Sequence, residues 1–268
     1  MLPEDMKGYF PPPIITLNIN DIIHHNMIRN SLIPLNTKSA WYNVHSFLGK
    51  PKTFCIYCSG GASRVIKFYS FNENIKKYNP KKVIYDGDNP DVIERLSKLF
   101  DKKFIHFNES IKQYDKKKIH SSTSKFIHYI LNKESIDYLL CFGNKILKKE
   151  LIYSYPDKLI NFHPSILPSF KGIKAIDQAL DFGAVFLGNT AHFIDEGIDT
   201  GRIIIQSAML TEDYEDYEDV LEMQLPMIKM VLRDILNYNI SQNDLKKELI
   251  NRKKSLFIPD KCVKRSYK

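Results

Sequence analysis

From Thr53 onward the chain alternates short apolar runs with longer amphipathic stretches, and few folds accommodate that rhythm. Phe54–Cys58, Lys82–Tyr85, 103–107, Tyr138–Phe142 and 159–162 are strand-length runs rich in aromatic and branched residues. Helical stretches separate them at 63–78, from Asn89 through Leu99, at 122–131 and at 146–153. Asn89 followed by Pro90 has the form of a helix start, a capping side chain and then a first-turn proline. Strands joined through helices pair in parallel, with the helices covering both faces. The expected fold is therefore α/β, with a doubly wound, mainly parallel sheet. A short helix at 173–182 and two further strands at 184–193 and 202–209 follow, partly antiparallel and joined by the loop 195–201. An acidic segment, 212–219, then precedes a helix over 220–236 that Pro226 should kink or restart.

The two ends read differently. Residues 1–50 hold a proline-rich start and Trp41 without a clear period, which suggests an N-terminal extension packed on the main domain or covering its active-site edge. Residues 51–240 form the main domain, and 241–268 a polar, basic tail.

Composition excludes several classes. Hydrophobic residues make up 43% of the 268, enough for a substantial core, yet no apolar run is long enough to cross a bilayer. Pro3, Glu4, Asp5 and Pro11 to Pro13 interrupt anything like a secretory signal. With Cys55, Cys58, Cys141 and Cys262 this points to free thiols in a reducing compartment and a cytoplasmic location. Cys55-x-x-Cys58 has no second pair and lies in an apolar strand, so buried thiols are expected and no metal site. The net charge of +8 comes from dispersed basic residues without interleaved aromatics, so neither nucleic acid nor membrane is an expected partner. The same charge suits a phosphate-bearing small molecule, and a homodimer stays open.

The chemistry concentrates in two segments. Asn161-Phe-His163-Pro164-Ser165-Ile-Leu-Pro168-Ser-Phe-Lys171-Gly172 directly follows an apolar run. His192-Phe-Ile-Asp195-Glu196-Gly197-Ile198-Asp199-Thr200-Gly201 lies further on. Residues two apart on an extended segment point to one side, so Asn161 and His163 face together into the crevice beyond a strand end. An amide can donate to an oxyanion, an imidazole changes charge near neutrality, and a carboxylate can orient it. These are the parts of an acyl-transfer site.

Both segments closely resemble those of the folate-dependent formyltransferases, whose pattern is Asn-x-His-Pro-Ser-x-Leu-Pro followed by x-Asp-x-Gly. The resemblance runs from about Cys55 to about Gln206 and implies the formyltransferase version of the doubly wound fold. It makes Asn161, His163 and Asp199 the catalytic residues and 10-formyltetrahydrofolate the co-substrate, without a metal. Phe142, Asn144, Lys145, Ile146 and Leu147 correspond to the folate-binding loop, and Asp195, Glu196 and Gly197 would close its other side. The bland reading of Ile146 and Leu147 is helix core.

Ser59-Gly60-Gly61-Ala62-Ser63-Arg64, a strand-to-helix turn, is similar to the phosphate loop of the glycinamide ribonucleotide branch. Ala62 stands where a glycine is usual and Arg64 where an Asn would be. With Lys171 these residues are the expected substrate-binding set; the plain alternative is a turn that needs glycine for steric reasons. Leu221 and Glu222 stand where that branch has a Glu-His pair that helps hold the substrate. The acceptor is accordingly a primary amine on a phosphate-bearing small molecule, either glycinamide ribonucleotide-like or a nucleotide-linked amino sugar. The implied mechanism has Asn161 and a protonated His163 donating to the oxyanion, with Asp199 keeping His163 charged and relaying the amine proton. A reading from another class is an inactive folate- or nucleotide-binding protein on the same scaffold. His192 reads as structural or supporting.

Overall fold

The computed structural model describes residues 14–17, 51–70, 78–107, 116–236, 238 and 255–259. Along the chain these form strands β1 (Ile14–Leu17) and β2 (Phe54–Cys58), helix α1 (Ser63–Ser70), β3 (Lys82–Tyr85), α2 (Pro90–Phe100), β4 (Phe104–His106) and α3 (Lys116–Lys133). They continue through β5 (Tyr138–Phe142), α4 (Lys149–Ser154), β6 (Leu159–His163), α5 (Ala175–Asp181), β7 (Phe186–Phe193) and β8 (Ile203–Leu210). Helices α6 (Tyr217–Glu222) and α7 (Gln224–Asp234) and strand β9 (Ser255–Pro259) complete them.

All the strands join one sheet in the order β1-β9-β8-β7-β6-β5-β2-β3-β4. The block β4-β3-β2-β5-β6 is parallel, and every pairing from β6 outward to β1 is antiparallel. The chain runs outward from β2 to β4, then returns to β5 on the other side of β2. That reversal opens a crevice beyond the carboxyl ends of β2 and β5, where open α/β sheets take their ligands.

Burial on both faces explains why the central strands carry no polar alternation. Phe54, Ile56 and Cys58 of β2 pack on one side with Leu140, Phe142, Ile160 and Phe162 against α1, α2 and α7. Cys55 and Tyr57 pack on the other with Leu139, Cys141 and Leu159 against α3 and α4. Each large apolar side chain buried in this way contributes roughly 1.5–3 kcal/mol. Cys55, Cys58 and Cys141 are free, buried thiols within these layers.

Helix boundaries follow their capping chemistry. Asn89 accepts from the amides of Asp91 at 3.0 Å and Val92 at 3.4 Å, with Pro90 at the first helical position. The helix expected over 220–236 is two helices that break at Met223, not at Pro226. Asp216 and Asp219 cap α6 reciprocally, and Pro226 falls in the first turn of α7, where its missing N–H costs nothing. The basic tail expected at 241–268 contributes strand β9, paired with β8 from Gln206↔Phe257 to Ala208↔Ser255. Ile14–Leu17 of the expected extension pairs with it in turn. Trp41, Cys262 and the segment 71–77 of the expected first helix lie outside the described residues.

Candidate active site

Strand β6 ends at the crevice with Asn161 and His163 on the same side, while Ile160 and Phe162 face the α1 layer. The neighbouring β7 runs antiparallel, and its register sets His192 directly across from Asn161. A bulge opposite Ala191 and His192 gives β8 an extra residue there, on the side of β7 away from β6. Beyond β7 the chain turns back on itself. Thr200 Oγ1 and the amide of Gly197 both donate to Asp195 Oδ1, at 2.7 and 3.2 Å, and shape this turn. At Gly201 an added Cβ would lie 1.7 Å from the Phe193 carbonyl oxygen, so only glycine closes it. The turn delivers Asp199, at a φ of 51° that Asp tolerates better than most residues, onto the two imidazoles.

Asp199 is the hub. Its Oδ2 accepts from the Gly172 amide at 2.8 Å and lies 3.3 Å from His163 Nδ1. Its Oδ1 lies 3.5 Å from His192 Nε2 and accepts from Asn161 Nδ2 at 3.4 Å. Burial alone would raise its carboxyl; the bond with His192, the charge of His163 and the Gly172 amide outweigh burial and hold it below its ordinary range. His163 moves the opposite way from the sequence expectation. Burial lowers its pKa from 6.5, and the Phe170 carbonyl and Asp199 only partly offset this, so the resting imidazole is neutral at and above that range. Burial thus opposes, and Asp199 favours, the imidazolium that the sequence reading expects.

Hydrogen-bond partners fix the tautomers. A carbonyl only accepts, so His163 Nε2, 2.9 Å from Phe170 O, carries a hydrogen, and its Nδ1 is the position facing Asp199. By the same logic His192 Nδ1 donates to Phe193 O at 2.9 Å, and its Nε2 lies 3.2 Å from Asn161 Nδ2. His192, which the sequence marks as structural or supporting, is thus part of the cluster. Its only sequence signal was its place in a strand ahead of the loop, because the register that sets it opposite Asn161 is tertiary. The 165–172 turn is braced from within, by Ser165 donating to Ser169 O at 2.7 Å and Thr190 donating to Ser165 O at 2.7 Å. Lys171 is exposed on it.

The loop after β5 forms the next wall of the crevice. Asn144 is exposed, Lys145 half-buried, and Ile146 extends 57% exposed, whereas Leu147 is buried against the α3 layer. The helix expected from Ile146 begins only at Lys149. Phe142, in the segment expected to bind folate, places its ring in the core. It stacks on Phe162 at 4.7 Å, which leaves its backbone as the part that faces the loop. Across the crevice Glu196 pairs with Lys149 and accepts from Tyr153, tying the 195–199 loop to α4.

At the carboxyl end of β2, Gly60 and Gly61 are exposed and Gly60 takes a φ of 58°. Among the described residues none accepts from the amides of Gly61, Ser63 or Arg64. Ser59 does not contribute a free hydroxyl, since it donates to Asp86 Oδ1 at 2.6 Å and accepts from the Asn144 amide at 3.2 Å. Ala62 is buried. Arg64, expected to reach out to a phosphate, instead donates to Gln224 Oε1 at 2.9 Å. Its guanidinium also stands 5.3 Å over the Phe142 ring, with the Phe142 and Phe162 carbonyls at 3.5 Å. Gln224 is fully buried and donates to Asn189 at 2.7 Å, so Arg64 joins an internal network beneath β6. Glu222, in the late helix, pairs with Lys67 at 2.8 Å. Among the described residues no cluster of three or more His, Cys, Asp or Glu could hold a metal, and no helix is long and apolar enough to cross a membrane.

A doubly wound sheet with an amide, two imidazoles and a carboxylate gathered at its crevice is the arrangement of a ligand-binding α/β protein with its site at the switch point. The family described as formyl transferase matches residues 79–225, and the chain belongs to that family. Phosphoribosylglycinamide formyltransferase of Bacillus subtilis is 41% identical over 76 residues, 28% of this chain and 39% of that protein. The human trifunctional purine biosynthetic protein adenosine-3 is 42% identical over 85 residues, 31% of this chain and 8% of that protein. The matched stretches thus span well under half the length of these relatives. The crystal structure of glycinamide ribonucleotide transformylase 1 from Geobacillus kaustophilus superposes with a TM-score of 0.56 at 27% identity, covering 70% of this chain and all of the other.

Proposed function

We propose that this chain transfers a formyl group from 10-formyltetrahydrofolate to a primary amine of a phosphate-bearing small molecule. The observation that carries the proposal is the cluster of Asn161, His163 and Asp199 at the carboxyl end of β6, which family membership and the names of the relatives support.

The loop after β5 suits a folate. Among the described residues no hydrogen bond engages the backbone of Lys145, Ile146 or Leu147, which leaves an edge of donors and acceptors open to a pterin, with exposed Asn144 beside it and the Asp195, Glu196, Gly197 loop opposite. Bound there, the co-substrate would supply the formyl carbon.

The chain's own residues then divide the work. Asp199, fixed by the Gly172 amide, is the stationary negative charge. Neutral His163 takes the proton that the attacking amine sheds, at Nδ1, because Nε2 is already committed to Phe170 O and Nδ1 faces the carboxylate, and it gives that proton up to the folate nitrogen as the bond from that nitrogen to the formyl carbon breaks. Asn161 is the nearest donor for the charge that builds on the carbonyl oxygen. Its present contacts, 3.2 Å to His192 and 3.4 Å to Asp199, are longer than a good N–H···O bond of about 2.9 Å, so exchanging one for an oxyanion costs little. The unengaged amides of Gly61, Ser63 and Arg64 at the start of α1 would take the acceptor's phosphate. Exposed Lys171, next to Gly172, adds a positive charge.

A folate-release assay over a panel of phosphorylated amines, including glycinamide ribonucleotide and nucleotide-linked amino sugars, tests the reading. Release that depends on one class of amine supports it and names the acceptor. Folate binding without release by any amine would favour a binding protein on the same scaffold.

A further inference from the structure

One carboxylate at the crevice plays no part in the chemistry above. Asp86 directly follows β3, whose register sets Tyr85 beside Cys58, so Asp86 stands beside the start of the 59–64 turn, with its amide donating to Cys58 O at 3.3 Å. Its two oxygens each accept one hydroxyl, Oδ2 from Tyr57 and Oδ1 from Ser59, both at 2.6 Å. Burial first, and then the Asp86 charge, push the Tyr57 phenol well above its ordinary value, so it stays a donor. The ring that carries it is wedged under the next loop. A Cβ at Gly143 would lie 2.1 Å from the Tyr57 ring. The carboxylate is therefore held from behind by two short bonds, and Tyr85 pins the turn beside it by donating to Gly60 O at 2.7 Å.

A carboxylate offers about four acceptor positions, and two of these are taken by hydroxyls. No ion pair to Asp86 forms among the described residues, and the side chain is half-buried rather than sealed. A fixed anion beside an anion-binding turn repels a bare phosphate. It favours a phosphate that arrives with hydroxyl donors attached. Doubly wound nucleotide-binding sheets use this juxtaposition, with a glycine turn after one strand for the phosphate and an acid at the end of the adjacent strand for sugar hydroxyls.

We propose that Asp86 is a specificity-determining residue that accepts hydrogen bonds from the sugar hydroxyls of a phosphorylated sugar whose phosphate lies on the 59–64 turn. This rests on the phosphate role given to that turn above.

The test is equilibrium binding to the full chain of ribose 5-phosphate, glucose 1-phosphate and inorganic phosphate. The wild type should bind one of the sugar phosphates about tenfold or more tighter than inorganic phosphate, and which one separates a ribonucleotide-like from a hexose-linked acceptor. Asp86→Asn should erase that preference by weakening the sugar phosphate about tenfold, while inorganic phosphate binds as well or better. Tyr57→Phe, which keeps the charge, should retain the preference. Equal weakening of sugar phosphate and inorganic phosphate by Asp86→Asn would mean that Asp86 merely props the turn, and would overturn the proposal. Should that variant not fold, the wild type decides, since equal affinity for ribose 5-phosphate and its 2-deoxy and 3-deoxy forms, with glucose 1-phosphate no tighter than inorganic phosphate, also overturns it. Failure of the wild type to bind any of these phosphates removes the phosphate role of the turn and this inference with it.

Discussion

Replacing Asp199 by Asn tests the division of labour most directly. The substitution keeps the shape and removes the charge that faces His163 Nδ1 at 3.3 Å. At an effective dielectric of about 20, a unit charge pair at that distance is worth about 5 kcal/mol. The carboxylate is 12% exposed, and water with the Gly172 amide would recover part of that energy. A net loss of about 3 kcal/mol is expected at the step where His163 becomes charged, which slows turnover by about a hundredfold. The pH profile carries the sign. His163 works as a base, so the rate falls as pH drops through its pKa, already below 6.5 because burial outweighs Asp199. Without Asp199 one of the influences raising that pKa disappears, and the acidic limb moves to still lower pH. Folate release should be followed under single-turnover conditions across that limb, so that product release does not mask the proton step. A variant within about threefold of wild type, or an acidic limb displaced upward, would refute His163 as the proton acceptor paired with Asp199.

Asn161→Ala should slow turnover by about a hundred- to a thousandfold with folate affinity nearly unchanged, checked by steady-state kinetics beside a folate titration. Gln224→Ala should destabilise the fold by about 2–4 kcal/mol in urea melts, because the Arg64 guanidinium and buried Asn189 both lose a partner. Gly201→Ala, whose Cβ would sit 1.7 Å from Phe193 O, should displace the loop carrying Asp199 and abolish transfer even where circular dichroism shows a folded chain. Glu196→Gln removes only an exposed ion pair and should change stability by less than about 1 kcal/mol in the same melts.

The periodicity of the chain was enough to place most of this architecture. Phe54–Cys58, Lys82–Tyr85 and Tyr138–Phe142 are legible as strands because both faces of each are buried, and Asn89 with Pro90 marks α2 because capping is a local interaction. Asn161 and His163 are equally legible as a pair, since their shared side follows from the twofold repeat of a strand. The break at Met223 was hidden because a proline can end one helix or open the next, and Pro226 stands in the first turn of α7.

What only the tertiary structure decided is how these side chains spend their hydrogens. Arg64 looked free beside a glycine turn, but a guanidinium next to a buried Gln224 pairs inward. Phe142 belongs to the segment that corresponds to the folate-binding loop, and its ring lies in the core, stacked on Phe162. His192 joins the site through an antiparallel register that no local pattern encodes, and Asp86 reaches the turn because β3 lies beside β2. The downward shift of the His163 pKa comes from burial outweighing its carboxylate partner, a balance set by what packs around the ring. Residue types and their spacing are properties of the chain, whereas partners, burial and protonation belong to neighbours that meet only when the sheet assembles.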